Sequence, residues 1–268
     1  MATHILNKNN MKMKERITVV KVGGAVVEDA DKLARLIKDF AAIDGRKVLV
    51  HGGGRSATKI AAQLGIESQM VNGRRITDDK MLQVVTMVYG GLVNKNLVAK
   101  LQAQSVNALG LTGADMNVIQ AHKRPVKDVD YGFVGDVDGA NGEQLSRLIE
   151  TGVVPVMAPL THDGQGNMLN TNADTIASTT AKALSPFYDV TLIYAFEKPG
   201  VLNDPDDNNS VIPQITRKDF DRYVADGTVA GGMIPKIENA LAAIDAGVKQ
   251  VIITKADAID GKHGTFIR

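Results

Sequence analysis

Lys21 is a charged residue that follows a β-branched run at residues 17–20 and precedes a valine and the pair Gly23-Gly24. Such a run is typical of a strand covered on both faces of a parallel sheet, and open α/β sheets bind ligands at the carboxyl ends of their strands. Glycine at this point lets backbone N–H groups approach an anion that a side chain would hold away. The stretch therefore indicates a phosphate-binding corner. A lysine stem that covers apolar surface beside an ordinary turn is the alternative.

A second glycine corner, His51-Gly52-Gly53-Gly54, follows the next apolar run at residues 47–50. Residues 29–40, between the two corners, carry apolar side chains at helical spacing, so the segment is predicted to form a βαβ unit. Both corners then lie at neighbouring strand ends and form one anion cradle, and the second leads into a helix at residues 56–64. His51 could act as a base, although a histidine in this position is more often a packing or hydrogen-bonding residue.

The turn at residues 72–77 carries the paired arginines Arg74 and Arg75 ahead of a helix start at Asp78-Asp79. A guanidinium group binds a carboxylate through two parallel hydrogen bonds, which lysine cannot do. Arg75 is therefore a candidate for binding a substrate carboxylate, and a solvated surface pair is the alternative.

Asn170, Asn172 and Asp174 alternate along an extended segment that enters a predicted helix at residues 175–183. Alternation in an extended segment predicts that their side chains share one face. For Asp174 alone, a simple helix N-terminal residue is a strong alternative.

Lys236 follows Gly231-Gly232 and Pro235 in the predicted first turn of a helix that runs to residue 246. Proline is tolerated there because its missing N–H would have no helical partner. A lysine adds positive charge to a helix end that is already positive. This placement is unfavourable for stability and favourable for binding a polyphosphate.

The remaining pattern predicts an α/β fold. Helices are expected at residues 82–104, with a break at Gly90-Gly91, and at 142–150, and buried strands at 153–160, 189–194 and 251–254. Residues 107–137 favour strands with a hairpin, and residues 161–166 a hairpin turn. The apolar residues of 82–104 exceed one narrow stripe, which indicates contact with a second subunit and a homodimer.

Composition excludes several classes of protein. The 268 residues are 44% hydrophobic, carry a formal net charge of +1 and contain no cysteine. A nearly neutral chain favours neither a nucleic-acid nor a membrane partner, and the absence of cysteine suits a reducing compartment, so a cytoplasmic protein is expected. The longest apolar run is too short to cross a bilayer. Residues 1–16 are polar without an apolar signal segment and are predicted to form a flexible tail.

Known phosphate-binding and metal-binding signatures are missing from the sequence. Neither G-x-x-x-x-G-K-[ST] nor G-x-G-x-x-G occurs. The five histidines lack ligand spacing, so no metal-binding protein residues are predicted. Phosphates would be held by dispersed glycine corners and the two lysines.

Taken together and in this order, KVGG (21–24), HGGG (51–54), NGRRIT (72–77), NTNAD (170–174) and GGMIPK (231–236) resemble the amino acid kinase family. The resemblance covers the chain from about residue 17 onward. It implies a three-layer α/β/α sandwich around a mainly parallel sheet, with an acyl-amino-acid-binding lobe at residues 17–185 and an ATP-binding lobe at 186–268.

The resemblance also implies roles for matching residues. Lys21 and Lys236 would stabilise the transferring γ-phosphoryl group, and Asp174 would hold both lysines. Gly24, Gly53 and Gly54 would donate backbone hydrogen bonds, while Arg75 and Asn170 would bind the carboxylate and amide side of the substrate. The nucleotide would be lined by Glu197, Lys198, Pro199, Gly200, Val201, Leu202, Thr228, Val229 and Ala230. Mg²⁺ would bridge the ATP phosphates with few protein ligands.

Within the family, the matching branch phosphorylates the γ-carboxylate of N-acetyl-L-glutamate in arginine biosynthesis. Three departures stand out. Arg74 replaces a usually apolar residue, which favours an acyl group that itself ends in a carboxylate, as in N-succinyl-L-glutamate. Glu197 replaces an aspartate at the nucleotide strand, and the segment before residue 17 lacks the long apolar helix of arginine-inhibited hexamers, so a homodimer without arginine feedback is expected. Another family activity and a non-catalytic nucleotide or amino-acid sensor are the alternatives.

Overall fold

The computed structural model describes residues 14–71 and 73–268. Its largest element is a sheet of eight of the described strands in the order β12-β14-β13-β11-β1-β2-β8-β5. These strands are β1 (Arg16–Val22), β2 (Arg46–His51), β5 (Ala108–Leu111), β8 (Val154–Met157), β11 (Asp189–Phe196), β12 (Gln214–Ile215), β13 (Gln250–Lys255) and β14 (Thr265–Ile267). Neighbours are parallel except for the antiparallel pair β13–β14. The predicted mainly parallel sheet is confirmed.

Two smaller sheets flank this one. A four-stranded sheet has the order β10-β9-β6-β7, and β3 pairs with β4. Their strands are β3 (Met70–Val71), β4 (Arg74–Arg75), β6 (Ile119–Lys123), β7 (Gly135–Ala140), β9 (Leu160–His162) and β10 (Met168–Asn170). The pairs β6–β7 and β9–β10 are antiparallel, which confirms the predicted hairpins.

Helices cover both faces of the large sheet. They are α1 (Gly24–Glu28), α2 (Ala30–Ala41), α3 (Gly54–Gln63), α4 (Asp79–Val85), α5 (Asn94–Gln102), α6 (Gly142–Glu150), α7 (Ala173–Leu184), α8 (Arg217–Ala225) and α9 (Met233–Asp245), with a π-helix at Thr86–Val93 and a 3₁₀ turn at Asp115–Asn117.

Strand β1 faces both helical layers because its side chains alternate. Ile17 and Val19 belong to the core that also contains residues of α6, α7 and α9. Val20 and Val22 belong to the core that contains residues of α2, α4 and α5. The three-layer sandwich is therefore confirmed, and the alternation places Lys21 on the face that α7 and α9 cover.

The predicted helix break at Gly90-Gly91 was wrong. The chain stays helical from α4 through the π-helix into α5, because the wider π turn accommodates the glycines without ending the helix. The predicted strand at 153–160 is two strands, β8 and β9. Pro159 lies between them, and proline cannot donate to a sheet ladder.

Helix α8 was missed by the sequence analysis. Its signal is a capping box in which Thr216 and Asp219 bond to each other's backbone N–H groups. Most of the predicted tail, residues 1–13, lies outside the described residues, as does the expectation about an apolar helix before residue 17. Arg16 already belongs to β1. Over the described range, no helix is long and apolar enough to cross a membrane.

Candidate active site

Asp174 joins two lysines that come from opposite ends of the chain. The Lys21 Nζ lies 2.7 Å from Asp174 Oδ1, and the Lys236 Nζ donates to Asp174 Oδ2 at 3.0 Å. Lys21 and Asp174 are buried, while the Lys236 side chain is 28% exposed. Burial by itself raises the pKa of Asp174, but the two ammonium groups outweigh this effect and hold the pKa below its usual value. The group is one anion between two cations, which leaves a net positive charge.

Each member of this triad has a separate structural support. Lys21 stands near the carboxyl end of β1, where the register places it beside Tyr194 of β11. Asp174 lies in the first turn of α7, and the Asn172 side chain caps that helix by accepting from the N–H groups of Asp174 and Thr175. Lys236 lies in the first turn of α9. Asn170 and Asn172 line one cavity, whereas Asp174 faces the lysines, so only the first two share a face as predicted.

Phe196 forms an aromatic wall beside both lysines. Its ring centroid lies 5.2 Å from the Lys21 Nζ and 4.4 Å from the Lys236 Nζ, within the range of cation–π attraction. The ring also stacks on Tyr194 at a centroid distance of 6.1 Å, and the Tyr194 hydroxyl donates to the Asp174 carbonyl. Phe196 was not predicted as a site residue, although its spacing of two residues from Tyr194 predicts a shared strand face.

The two glycine corners are in direct contact. A Cβ on Gly52 would lie 3.2 Å from the Gly24 nitrogen, and one on Gly24 would lie 3.6 Å from the Gly53 nitrogen. Gly53 must also admit the Tyr89 ring, since a Cβ there would lie 2.8 Å from Tyr89 Cδ1. Within the described chain, no side chain caps α1 or α3, so their N-terminal N–H groups are left for an anion. The predicted meeting of the two corners is confirmed.

Arg75 lies in a cavity of about 250 Å³ that the second glycine corner also lines. The side chain is buried, and one terminal nitrogen donates to the Gly54 carbonyl and to Thr58 Oγ1, each at 2.8 Å. The other terminal nitrogen donates to Ser68 Oγ. These contacts fix the plane of the guanidinium group. Burial raises the pKa of Tyr89 in the same cavity, and Arg75 opposes that rise.

Asn170 and Arg74 also line this cavity, in different environments. The Asn170 amide nitrogen donates to Thr77 Oγ1 at 2.9 Å, which ties β10 to the turn after β4. Arg74 is exposed and borders both the 250 Å³ cavity and an adjoining cavity of about 490 Å³.

Arg124, which the sequence analysis missed, also borders both cavities. It binds Asp136 through two nitrogens, the shorter contact being 2.5 Å, and this pairing lowers the pKa of Asp136. Its third nitrogen, Nη1, is buried without a hydrogen-bond partner among the described residues. A guanidinium nitrogen in this condition can still donate to a bound anion.

Comparison with known proteins decides the family. The pattern of the amino acid kinase family matches residues 16–255. The chain belongs to the amino acid kinase family. An acetylglutamate kinase of Bacteroides thetaiotaomicron is 70% identical over 256 residues, which are 96% of this chain and 100% of that protein.

Solved structures agree with this assignment. The crystal structure of smu.665 from Streptococcus mutans superposes with a TM-score of 0.77 at 32% identity, over 94% of this chain and 98% of that one. The carbamate kinase of Giardia lamblia bound to AMP-PNP has a TM-score of 0.66 at 17% identity, over 95% of this chain and 98% of that one, a likeness in fold alone. The resemblance to the amino acid kinase family is confirmed.

The residues predicted to line the nucleotide in this family member lie in two segments after β11 and α8. In the first, Val201 and Leu202 are buried, and the Val201 N–H donates to Thr265 Oγ1 at 2.8 Å. Lys198 Nζ donates to the Pro205 carbonyl, and Gly200 packs so closely that a Cβ would lie 2.7 Å from Thr265 Oγ1. The side chains of Val201 and Leu202 therefore belong to the core.

The second segment follows α8 and is held by its backbone. Val229 is buried and donates its N–H to the Tyr223 carbonyl, while the Thr228 N–H donates to Asp226 Oδ1. Ala230 is exposed and its carbonyl accepts from Met233 at the start of α9. Glu197 lies apart from these contacts, in a cavity of about 390 Å³ with Phe196 and Lys255.

The described residues contain no cluster of three or more His, Cys, Asp or Glu side chains that could hold a metal ion. Asp174, the carboxylate between the lysines, already has both oxygens bound. The chain itself provides positive charge and backbone hydrogen-bond donors, and phosphoryl transfer requires both to stabilise the charge on the transferring oxygens.

Proposed function

We propose that this chain transfers the γ-phosphoryl group of ATP to the γ-carboxylate of an N-acyl-L-glutamate, as the first kinase step on that substrate in arginine biosynthesis. The observation that carries the proposal is the Lys21–Asp174–Lys236 triad, whose Asp174 lies between two residues that line the Arg75 cavity, Ala173 and Thr175. Relatives named acetylglutamate kinase that match 96% of the chain support the same activity, with N-acetyl-L-glutamate as the substrate.

The chemistry requires little from the protein beyond position and charge. A γ-carboxylate oxygen of the substrate forms a bond to the γ-phosphorus, the bond from that phosphorus to the β,γ-bridging oxygen breaks, and ADP leaves with the electron pair. The nucleophile is already ionised, so no side chain has to remove a proton. Lys21 and Lys236 offset charge on the transferring oxygens, and backbone N–H groups of the glycine corners donate to them.

The acyl-glutamate is held in the cavity that Arg75 and the second glycine corner line. Arg75 presents a guanidinium group whose orientation Gly54 and Thr58 fix, which suits the α-carboxylate of the glutamate. The Asn170 side chain lies in the same cavity, and its amide group can hydrogen-bond to the N-acyl amide of the substrate.

ATP would bind next to the two lysines, against residues 197–202 and 228–230. The chain would then have an acyl-glutamate lobe at 17–185 and an ATP lobe at 186–268. Mg²⁺ would reach the site on the phosphates and neutralise part of their charge. The residues present fit the polyphosphate that carries the ion, because two lysines and the N-terminal N–H groups of α1 and α3, which no side chain caps, can bind its oxygens.

The acyl end of the substrate lies toward Arg74 and Arg124 in this proposal. Arg74 joins the two adjoining cavities, and Arg124 contributes a buried nitrogen that lacks a protein partner in the described chain. These groups favour an acyl chain that ends in its own carboxylate, so N-succinyl-L-glutamate is the second candidate substrate. Arg74→Leu should shift the succinyl-to-acetyl ratio of kcat/KM toward acetyl, whereas Arg147→Leu, an exposed control, should leave it unchanged.

The chain is further proposed to act in the cytoplasm as a homodimer. Met87 and Leu92 of the π-helix are about half exposed, and Leu109 is exposed on β5, the last strand of the large sheet. Apolar side chains that are exposed together with a sheet edge are typical of an interface between subunits. Light scattering after size exclusion measures the oligomeric state, and a monomer would refute the dimer.

The activity test uses Mg-ATP with N-acetyl-, N-succinyl- or free L-glutamate, and hydroxylamine traps the acyl phosphate product. Product with an N-acylated substrate, lost in Lys236→Ala, supports the proposal. Product with free glutamate alone would indicate another family activity. Binding of ATP and acyl-glutamate without product from any substrate would indicate a sensor.

A further inference from the structure

His51 and Asn94 are buried polar residues behind the second glycine corner, and neither lines the substrate cavity. His51 ends β2, and Asn94 begins α5 directly after the π-helix. The Asn94 amide nitrogen contacts the Val156 carbonyl at 2.9 Å and His51 Nε2 at 3.1 Å. On its other side, His51 Nδ1 contacts the Gly52 carbonyl at 2.8 Å. The interpretation of His51 as a hydrogen-bonding residue is confirmed.

These contacts fix every proton in the group. The Val156 carbonyl can only accept, so the atom of Asn94 that faces it is the amide nitrogen. The same nitrogen then donates its second hydrogen to His51 Nε2, which must be unprotonated. Burial lowers the pKa of His51 to about 4, so its ring is neutral at pH 7 and carries its one proton on Nδ1. Nδ1–H therefore donates to the Gly52 carbonyl.

The direction of the Gly52 carbonyl determines where the next N–H points. The peptide bond between Gly52 and Gly53 is planar and trans, so its C=O and N–H point in opposite directions. His51 draws the carbonyl toward the core, which directs the Gly53 N–H away from His51. Gly53 is buried, lines the substrate cavity, and its N–H makes no hydrogen bond within the described part of the chain.

We infer that Asn94 and His51 form a hydrogen-bond relay that holds the Gly52–Gly53 peptide with the Gly53 N–H facing the transferring phosphoryl group. His51 is thus a positioning residue, and Asn94 sets its tautomer. This inference rests on the proposed kinase activity for the identity of the anion, but the relay itself is a statement about the resting protein. In this orientation the Asn94 amide nitrogen makes two hydrogen bonds, while Oδ1 is buried without a partner in the described chain. The two bonds of the nitrogen therefore determine the orientation of the amide, at the cost of an unsatisfied oxygen.

The relay explains why a polar pair is kept in an apolar core. A glycine peptide has little intrinsic preference between its two orientations, because glycine accepts both signs of φ. Without the His51 donor, rotation of this peptide would exchange the Gly53 N–H for a carbonyl oxygen facing a phosphate. A donor that is already oriented costs no reorganisation when charge develops on the transferring oxygens.

Substitutions separate this role from simple packing. His51→Phe keeps a ring but removes the donor. Asn94→Asp keeps the shape but replaces the amide donor by a carboxylate, which would attract a proton to Nε2. His51→Phe should lose about 100-fold in kcat per folded molecule, the usual loss for one such donor. KM for ATP and for the acyl-glutamate should change by less than about threefold, since the donor acts on the transition state.

His51→Asn supplies the rescue, because an asparagine amide nitrogen occupies roughly the place of Nδ1, and it should recover most of the rate that His51→Phe loses. Ser146→Ala is the matched control for a lost buried hydrogen bond. Ser146 Oγ bonds to the Tyr188 hydroxyl at 3.0 Å, away from the glycine corner. Its loss should lower the melting temperature and leave kcat unchanged.

A measurement without turnover tests the relay on its own. Nitrogen chemical shifts of His51 in ¹⁵N-labelled wild-type protein at pH 7 should report the Nδ1–H tautomer, and Asn94→Asp should add a proton to Nε2. An Nε2–H tautomer in the wild type, or wild-type kcat per folded molecule in His51→Phe, would overturn the inference. If wild type phosphorylates no acyl-glutamate while the tautomer is Nδ1–H, the proposed function fails and the relay stands.

Discussion

Lys21 and Lys236 bind opposite oxygens of one carboxylate, that of Asp174, at 2.7 and 3.0 Å. The carboxylate holds two like charges at a common point and spaces them. Because it offsets only one of the two, a net positive charge faces any ligand that reaches the lysines. Asp174 is thus a positioning residue whose removal affects stability and catalysis together.

Asp174→Asn should lower the free energy of unfolding by about 3 kcal/mol and kcat by at least about 100-fold, since it leaves two lysines without their buried partner. Urea denaturation and the hydroxylamine assay measure the two effects. Asp245→Asn breaks the exposed pair with Arg217 and should change the free energy of unfolding by less than about 1 kcal/mol. Equal effects from both substitutions would contradict the assigned role of Asp174.

Arg75→Lys should raise KM for the acyl-glutamate by about 10-fold or more while kcat changes less. Lysine keeps the charge but cannot reproduce the planar group that Gly54, Thr58 and Ser68 hold in place. Steady-state kinetics at saturating ATP measure the split between the two constants. A fall in kcat at constant KM would mean that Arg75 serves the transferring group instead of the substrate carboxylate.

Phe196→Leu should lower the free energy of unfolding by about 1–2 kcal/mol, because it removes a stacked ring and two cation–π contacts. Phe196→Tyr keeps the ring and is the matched control. Chemical denaturation of the two variants at low and high salt is the measurement. If the Leu and Tyr variants had the same free energy of unfolding, the contacts of the ring with the lysines would not contribute to stability.

Stability should fall in acid through His51. Because the pKa of this group is lowered to about 4 in the folded chain from an ordinary 6.5, the unfolded chain binds the proton more readily between these values. Its contribution is complete above about pH 6.5 and is lost as the pH falls toward 4. The loss amounts to about 2–3 kcal/mol between pH 7 and pH 4.5.

Urea denaturation at several pH values tests this expectation, with His51→Asn as the reference that lacks the titrating group. The difference between the two proteins should shrink from pH 7 to pH 4.5. Asp174 acts in a lower window, because its pKa lies below its ordinary value of 3.8 and its stabilisation is lost only as the pH falls below that value. A pH-independent difference between the two proteins would show that His51 is not buried in its neutral form.

Local sequence patterns predicted much of the site. The β-branched run before Lys21 defines both the strand and the face on which the lysine lies, and glycine after a strand marks a corner wherever it occurs. The helix starts before Asp174 and Lys236 follow from capping residues and proline. Lys21 and Asp174 were predictable as separate residues in this way, whereas their pairing came from the order of the family motifs.

Other features depend on contacts that no local pattern encodes. Phe196 meets both lysines only because β11 lies beside β1 in a particular register. Asn94 reaches His51 because a π-helix shifts the start of α5, and the sequence around Gly90-Gly91 indicated a break instead. Arg124 borders the site through the four-stranded sheet, whose position relative to the large sheet depends on tertiary packing.

The central strand pair, β1 with β11, joins Arg16 to Asp189. Since synthesis delivers β1 long before β11, one edge of the first half of the sheet stays open until most of the chain has left the ribosome. An open parallel edge made of buried-type residues can pair with other chains, and distant pairing also slows folding. Until β11 is made, the strand that carries the first lysine is therefore an exposed edge of the nascent sheet.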